Sequence, residues 1–169
     1  MLSYHLTIHK NLRYLAFSAF FILFLRVGSA QIVLNNATPN QMVANLVGPG
    51  IIYSNVTFTG NPAVAAGIFT NGASSNLGMN SGVVLTCGSI NLIPGNNSGS
   101  EGVDNTGSAI PELNLIAGAA TFDGVILEFD FIPLSPTINV NYIFGSEEYN
   151  EFVNLGFNDA FAFFISGPG

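Results

Sequence analysis

Four acidic side chains lie close together in the sequence near the end of the chain. They are the residues whose types and spacing are best suited to binding a cation. Glu147, Glu148 and Glu151 fall within five positions, and Asp159 follows eight residues later. Carboxylates at this spacing repel one another unless a cation or a set of hydrogen-bond donors lies between them. Because Ca²⁺ prefers oxygen ligands, we predict that these four side chains form a Ca²⁺ site. The alternative for any one of them is a solvated surface position.

Tyr149, Asn158 and Asp159 are the candidate ligand-binding residues of the same region. An aromatic ring can stack on the face of a sugar, and a carboxylate or an amide can hydrogen-bond its hydroxyl groups. The segment Asn158–Ile165 resembles one strand of the legume-type lectins, in which an Asp lies in the carbohydrate site beside a bound Ca²⁺. The alternative is that Asp159 caps a turn before a buried aromatic strand.

The distribution of charge excludes several classes of function. All three cations (Lys10, Arg13 and Arg26) and both histidines lie in the first thirty residues, whereas all ten acids lie downstream. Nucleic-acid binding depends on Lys and Arg, so we expect no nucleic-acid partner. Residues 31–169 cannot form a His-based catalytic triad, and their single cysteine, Cys87, cannot form an intrachain disulfide or a Cys/His zinc site.

Paired carboxylates leave one class of enzyme open. Glu128 with Asp130, or Glu147 with Asp159, are the pairs that a glycoside hydrolase could use, provided that they face each other across a cleft about 5–10 Å wide. Residues 31–169 contain no Lys, Arg, His or Trp to assist such a pair or to line its substrate site. We therefore predict that the protein is not an enzyme and keep a carboxylate-pair glycosidase as the less favoured alternative.

The first thirty residues are predicted to be a helical signal peptide. Lys10 and Arg13 precede an apolar run over 15–25, and small residues at 28–30 precede Gln31. This order of charge, apolar core and small-residue cleavage site is typical of secretory signals. The apolar run is shorter than the roughly 20 residues of a spanning helix, so an uncleaved anchor is the alternative and we expect no membrane span in the mature chain.

Residues 31–169 are predicted to form one all-β domain, an antiparallel β-sandwich of jelly-roll type with one or two short helices. Short apolar runs alternate there with clusters of Gly, Asn, Ser and Thr, which is typical of such folds. Thr38 and Pro39 predict the start of a helix, and Gly48 its end. A second helix is predicted over Pro111–Ile116, with Ser108 as its cap. Strands are predicted over Ile51–Thr59, Ala66–Thr70, Gly82–Thr86, Phe122–Ile132, Ile138–Phe144 and Ala160–Ile165.

Two further acidic features depend on this arrangement. Alternation along Phe122–Ile132 places Glu128 and Asp130 together on the outward face and Asp123 on the apolar face. The stretch Pro94–Gly107 is rich in glycine and contains Glu101 and Asp104. Such a loop can bind Ca²⁺, and the alternative is a flexible solvated loop.

Three motifs occur in order along the chain: SGVVLTCGSI (81–90), TFDGVILEFDFIP (121–133), and FGSEEYNEFV (144–153) followed by FNDAFAFFISGPG (157–169). Together they resemble the choice-of-anchor L domain of bacterial secreted and surface proteins, and the resemblance extends from about Thr38 to Gly169. It implies a module that is joined to varied C-terminal anchoring or sorting signals, often in Bacteroidetes-type bacteria. Domains of this kind continue into further strands, so we expect the domain over 31–169 to be incomplete at its C-terminus.

The function predicted from these observations is that of a non-catalytic module, exported to the extracellular space or the cell surface. We expect it to be adhesive or to bind a carbohydrate or another surface polymer, with Ca²⁺ as a cofactor. The alternative is a passive structural surface domain, whose acids keep the exported sheets soluble and discourage pairing at their edges.

Overall fold

A computed structural model of the chain describes residues 31–95, 102–146, 149–150, 152–157 and 159–167. The five strands are β1 (Val33–Asn35), β2 (Ile52–Thr59), β3 (Ala66–Thr70), β4 (Gly82–Leu85) and β5 (Ile126–Ile132). The three α-helices are α1 (Pro39–Val47), α2 (Pro62–Ala65) and α3 (Pro111–Ala117), and single turns of 3₁₀-helix span Gly72–Ser74 and Ile90–Leu92. The predicted signal peptide lies outside the described residues.

Helix α1 begins with a capping box, which confirms the predicted start of this helix. The Thr38 hydroxyl accepts a hydrogen bond from the Gln41 backbone N–H (3.3 Å), and the Gln41 side-chain oxygen accepts one from the Thr38 backbone N–H (2.8 Å). Both hydrogen bonds satisfy N–H groups that helix geometry leaves without partners. Gly48 ends the helix with a φ of 71°, a left-handed value that glycine adopts without strain.

The strands form two antiparallel sheets. One sheet has the order β1–β3–β4, with Leu34 opposite Phe69 and Gly67 opposite Val84. The other is the pair β2–β5, with Tyr53 opposite Phe131 and an irregularity between Ser54 and Thr57. This confirms the prediction of an all-β antiparallel fold with few, short helices.

Helix α1 contacts both sheets, since it packs against β2 of one sheet and against β3 and β4 of the other. Met42 and Val43 on its inner face are fully buried. The remaining buried apolar side chains are Ala65, Ala66, Phe69, Ile90 and Ile110. The described core is therefore small, and it lies around α1 and the three-stranded sheet.

Strand β5 confirms the predicted alternation but begins later than predicted. Leu127, Phe129 and Phe131 are shielded, whereas Glu128 and Asp130 are exposed. Asp123 does not share the inner face of this strand, because its φ of 51° places it in a turn before β5. The Gly124 N–H in the same turn donates to the Ser108 carbonyl (3.1 Å).

Helix α3 spans the predicted region, but Ser108 does not cap it. Ile110 occupies the N-cap position and offers no side-chain hydrogen bond. Ser108 instead lies in the connection that accepts the hydrogen bond from Gly124, so its position is determined by a distant turn and not by the helix. The predicted end at Ile116 is one residue short of the observed end at Ala117, and Gly118 follows with a left-handed φ of 69°.

The segments 138–144 and 160–165 are not regular strands, so the prediction of two further strands there was wrong. Neither segment joins a sheet in the described part of the chain. They do lie side by side, since the Tyr142 and Phe161 rings are 5.5 Å apart and the Phe144 and Phe161 rings 6.1 Å apart. Alternating apolar residues determine where side chains point, but a strand also needs a partner backbone in register.

None of the helices within the described ranges is long and apolar enough to cross a membrane.

Candidate functional site

An open cleft of about 480 Å³ lies beside the end of helix α3, where the chain segments around 142–144 and 159–161 meet it. Its lining consists of Ile116, Ala117, Tyr142, Phe144, Asp159, Ala160 and Phe161. The volume is within the range of about 300–1,000 Å³ that small-molecule sites occupy in proteins. Apolar and aromatic side chains make up this lining apart from one carboxylate and one phenol hydroxyl.

The aromatic side chains of the cleft contact one another and form a continuous platform. Phe161 is at its centre, with its ring centroid 5.5 Å from that of Tyr142 and 6.1 Å from that of Phe144. Phe163, which is outside the cleft lining, has its ring centroid 4.7 Å from that of Phe161. The geometry ranges from stacked (Phe144) to edge-on (Phe163), which are both favourable arrangements for aromatic pairs. The rings therefore hold each other in position without a ligand.

This aromatic platform is exposed to solvent, as are many other large apolar side chains of the described residues. Phe161 exposes 41% of its surface and Tyr142 61%. What distinguishes the platform from other exposed apolar residues, such as Leu115 (86%) and Phe122 (79%), is that its rings contact one another and line one cleft. The sequence feature that corresponds to the platform is the spacing of Tyr142 and Phe144, two positions apart. This spacing predicts that the two side chains share a strand face, but not that they form a platform with Phe161.

Asp159 is the predicted site residue that the structure places in the cleft. Its side chain is exposed and lies next to Ala160 and Phe161, so the carboxylate and the platform line the same cavity. A carboxylate accepts hydrogen bonds and an aromatic ring offers an apolar face. Together they can hold a ligand that has both hydroxyl or amino groups and an apolar face.

The other predicted site residues are either elsewhere or outside the described chain. Tyr149 is exposed and does not contribute to the lining of the cleft. Glu147, Glu148, Glu151 and Asn158 lie outside the described residues. The predicted Ca²⁺ site and the pair of Glu147 with Asp159 consequently stay predictions. Within the described ranges alone, no three His, Cys, Asp or Glu side chains come together as metal ligands.

The carboxylates of Glu128 and Asp130 lie on one exposed face of strand β5. Asp130 accepts a hydrogen bond of 2.6 Å from the side-chain amide of Asn55 on the neighbouring strand. Hydrolysis of a glycosidic bond requires two carboxylates that flank the substrate. Glu128 and Asp130 are exposed on the strand face, and neither of them lines the cleft beside α3.

The glycine-rich acidic loop that contains Asp104 is organised around the side chain of Asn105. This side chain is 2% exposed, and its amide nitrogen donates to the carbonyls of Cys87 (2.8 Å) and Asp123 (2.9 Å). Its amide oxygen accepts a hydrogen bond from the Gly107 N–H (2.7 Å). Asn105 thus ties the acidic loop to the end of β4 and to the turn before β5, and this half of the loop is not freely solvated.

Asp104 and Asp123 are brought together by this anchor. Burial raises the pKa of the Asp123 carboxyl, and the hydrogen bond and negative charge of Asp104 raise it further. Backbone N–H groups of Gly107 and Asn105 oppose the rise in pKa, since they stabilise the carboxylate. The two carboxyl groups belong to segments almost twenty residues apart, and the only signals were the turn sequences DNTG (104–107) and DG (123–124).

Comparison with known proteins identifies the family of the chain. The family model of the choice-of-anchor L domain matches residues 30–169. The match includes the cleft, the acidic pair and both sheets. No curated protein and no solved structure matches the chain.

Proposed function

The chain belongs to the choice-of-anchor L domain family, and from that premise we propose that it is a non-catalytic surface module that binds carbohydrate in the aromatic cleft. Membership of the family indicates a secreted or cell-surface module. The observation that supports the proposal is that the exposed platform of Tyr142, Phe144 and Phe161 lines the same cleft as Asp159.

The chemistry of the cleft fits a sugar better than a purely apolar ligand or a phosphate. One face of a pyranose ring carries C–H groups that pack on an aromatic ring, and its hydroxyl groups donate hydrogen bonds to a carboxylate. A phosphate would need Lys, Arg or a set of aligned N–H donors, and residues 31–169 contain no Lys or Arg. The phenol of Tyr142 adds a second hydrogen-bonding group at the exposed edge of the platform.

The first prediction tests the platform with Tyr142→Ala. A glycan array first identifies a glycan that captures the unaltered protein. We expect the affinity of the variant for that glycan to fall about tenfold, because the substitution removes a stacking ring. Phe122→Ala is the matched control, since Phe122 is 79% exposed and lies outside the cleft. We expect that control to bind within about twofold of the unaltered protein.

If no glycan on the array captures the protein, or if both variants lose the same affinity for the glycan, carbohydrate binding in the cleft is contradicted. Either result would favour a passive structural domain. Release of reducing sugar that is abolished by Asp159→Asn would contradict the non-catalytic assignment. Circular dichroism of each variant checks that the fold is unchanged.

We also propose that Ca²⁺ stabilises the domain near Asp159. The ten acids of the chain have no Lys, Arg or His among residues 31–169 to offset their charge. A divalent cation would relieve repulsion among carboxylates, and the predicted ligands are Glu147, Glu148, Glu151 and Asp159.

The second prediction concerns this cation. We expect a higher midpoint of thermal unfolding in about 2 mM Ca²⁺ than in EDTA, because a ligand that binds only the folded state stabilises it. Asp159→Asn should reduce the difference, whereas Glu128→Gln, on the exposed face of β5, should leave it unchanged. Identical midpoints with and without Ca²⁺ would rule out the proposed stabilisation.

A further inference from the structure

We propose that the aromatic cleft selects glycans that carry free, protonated amino groups over neutral and anionic ones. The selection rests on the proposed function, since it specifies which carbohydrates the same cleft would take. The groups that carry it are the carboxylate of Asp159 and the adjacent rings of Tyr142 and Phe161.

The composition of the lining determines the sign of charge that the cleft accepts. Among the described residues of the lining, Asp159 is the one charged side chain, and the others are Ile116, Ala117, Tyr142, Phe144, Ala160 and Phe161. In the Ca²⁺-free protein, a glycan with carboxylate, sulfate or phosphate groups would place like charges beside Asp159, because residues 31–169 contain no Lys, Arg or His to offset them. An ammonium group would instead form a charge-assisted hydrogen bond with the carboxylate.

The aromatic rings favour the same class of ligand. A cation near the face of a Tyr or Phe ring is attracted by the negative charge density of that face. Tyr142 and Phe161 are 5.5 Å apart and tilted by 33°, so a sugar packed on one ring can bring a substituent close to the other. An amino sugar packed on one ring can therefore bring its ammonium group toward a ring face and toward Asp159, since all three side chains line the same cleft.

The charge of the whole domain acts in the same direction at longer range. Ten acids and no Lys, Arg or His among residues 31–169 produce a negative potential that attracts cationic polymers and repels anionic ones. Salt screens this contribution over about 8 Å at physiological ionic strength. The interaction with Asp159 is local, so the two contributions can be separated by experiment.

The third prediction compares oligomers of glucosamine with the N-acetylated oligomers of the same length. Calorimetric titration of the protein in mildly acidic buffer with EDTA, at physiological salt, should give about tenfold tighter binding of the free-amine oligomer, because Asp159 is then free of Ca²⁺. N-acetylation removes the positive charge but keeps the sugar ring, so the ratio of the two affinities measures the selection for charge. An oligomer of a uronic acid should bind more weakly than either.

Asp159→Asn and its control identify the source of the selection. Asp159→Asn keeps the shape of the side chain and removes its charge, so the ratio should fall to within about twofold of unity. Glu128→Gln removes one charge from the exposed face of β5, outside the cleft lining, and should leave the ratio unchanged.

Three outcomes overturn the selection for amino groups. Equal binding of both oligomers, or tighter binding of the acetylated one, would contradict the selection and leave carbohydrate binding intact. A similar fall in the ratio for both variants would assign the preference to the overall charge and not to the cleft. If the protein binds neither oligomer and no glycan on an array captures it, the proposed function itself is contradicted.

Discussion

At the scale of single residues, Asn105 shows how a polar side chain can organise a loop. All the hydrogen-bonding groups of its amide are used, since the nitrogen donates to backbone carbonyls on two segments and the oxygen accepts from Gly107. Buried polar groups are tolerated when they are satisfied in this way. The consequence is that Asp104 and Asp123 face each other in a domain that has no basic side chain to separate them.

The fourth prediction concerns the pH dependence that Asp123 imposes on stability. The pKa of Asp123 is raised in the folded state, so the protonated side chain contributes to folding stability. This contribution is fully present below the ordinary Asp pKa of about 3.9 and is lost as pH rises through the raised pKa. Asp123→Asn cannot ionise, and its amide can donate to Asp104 as the protonated carboxyl does. We expect the stability of this variant, relative to the unaltered protein, to increase as pH rises.

Urea denaturation at a series of pH values from below 3.9 to neutral measures this difference. Glu128→Gln, which changes an exposed acid, serves as the control and should give a nearly constant difference. A constant difference for Asp123→Asn as well would contradict the role of the Asp104–Asp123 pair.

At the scale of the elements, helix α1 depends on a small number of local interactions at its N-terminus. It is nine residues long and contacts strands of both sheets. Helices of this length are marginal on their own, so the capping box and the burial of Met42 and Val43 are what keep it formed. Strands β2, β3 and β4 were likewise predicted from short apolar runs between turn residues, and their bounds differ from the prediction by one residue at most.

The fifth prediction tests the capping box with Thr38→Ala. The free energy of unfolding should fall by about 1 kcal/mol, because the Gln41 backbone N–H loses its acceptor. Thr137→Ala is the matched control, since Thr137 is exposed and uses backbone atoms in its hydrogen bonds with Ser135. Denaturant unfolding of both variants provides the comparison, and an equal effect of the two substitutions would contradict the role of the cap.

At the scale of the whole molecule, charge and exposed aromatic surface are the properties that define the domain. Between residues 31 and 169 there are ten acids and no Lys, Arg or His, so no acid there can form a salt bridge with another side chain of the same region. The described core is small, while Tyr142, Phe144, Phe161 and Phe163 remain exposed in one cluster. Both properties are consistent with the secreted or surface module that the family indicates.

The sequence alone determined the features that depend on near neighbours or on composition. The capped helix at Thr38, the alternation of β5 and the absence of basic residues after Arg26 could each be read from a few positions. They follow from local geometry, in which residues three or four apart share a helix face and residues two apart share a strand face.

Only the tertiary structure decided which distant residues meet. The cleft combines α3 with Tyr142 and Phe161, and the acidic pair combines Asp104 with Asp123, so each requires separate chain segments to pack together. A local pattern gives the direction of a side chain but not the neighbour that it reaches. For the same reason the segments 138–144 and 160–165 were wrongly predicted as strands, whereas the role of Asp159, which lines the cleft, stays a prediction.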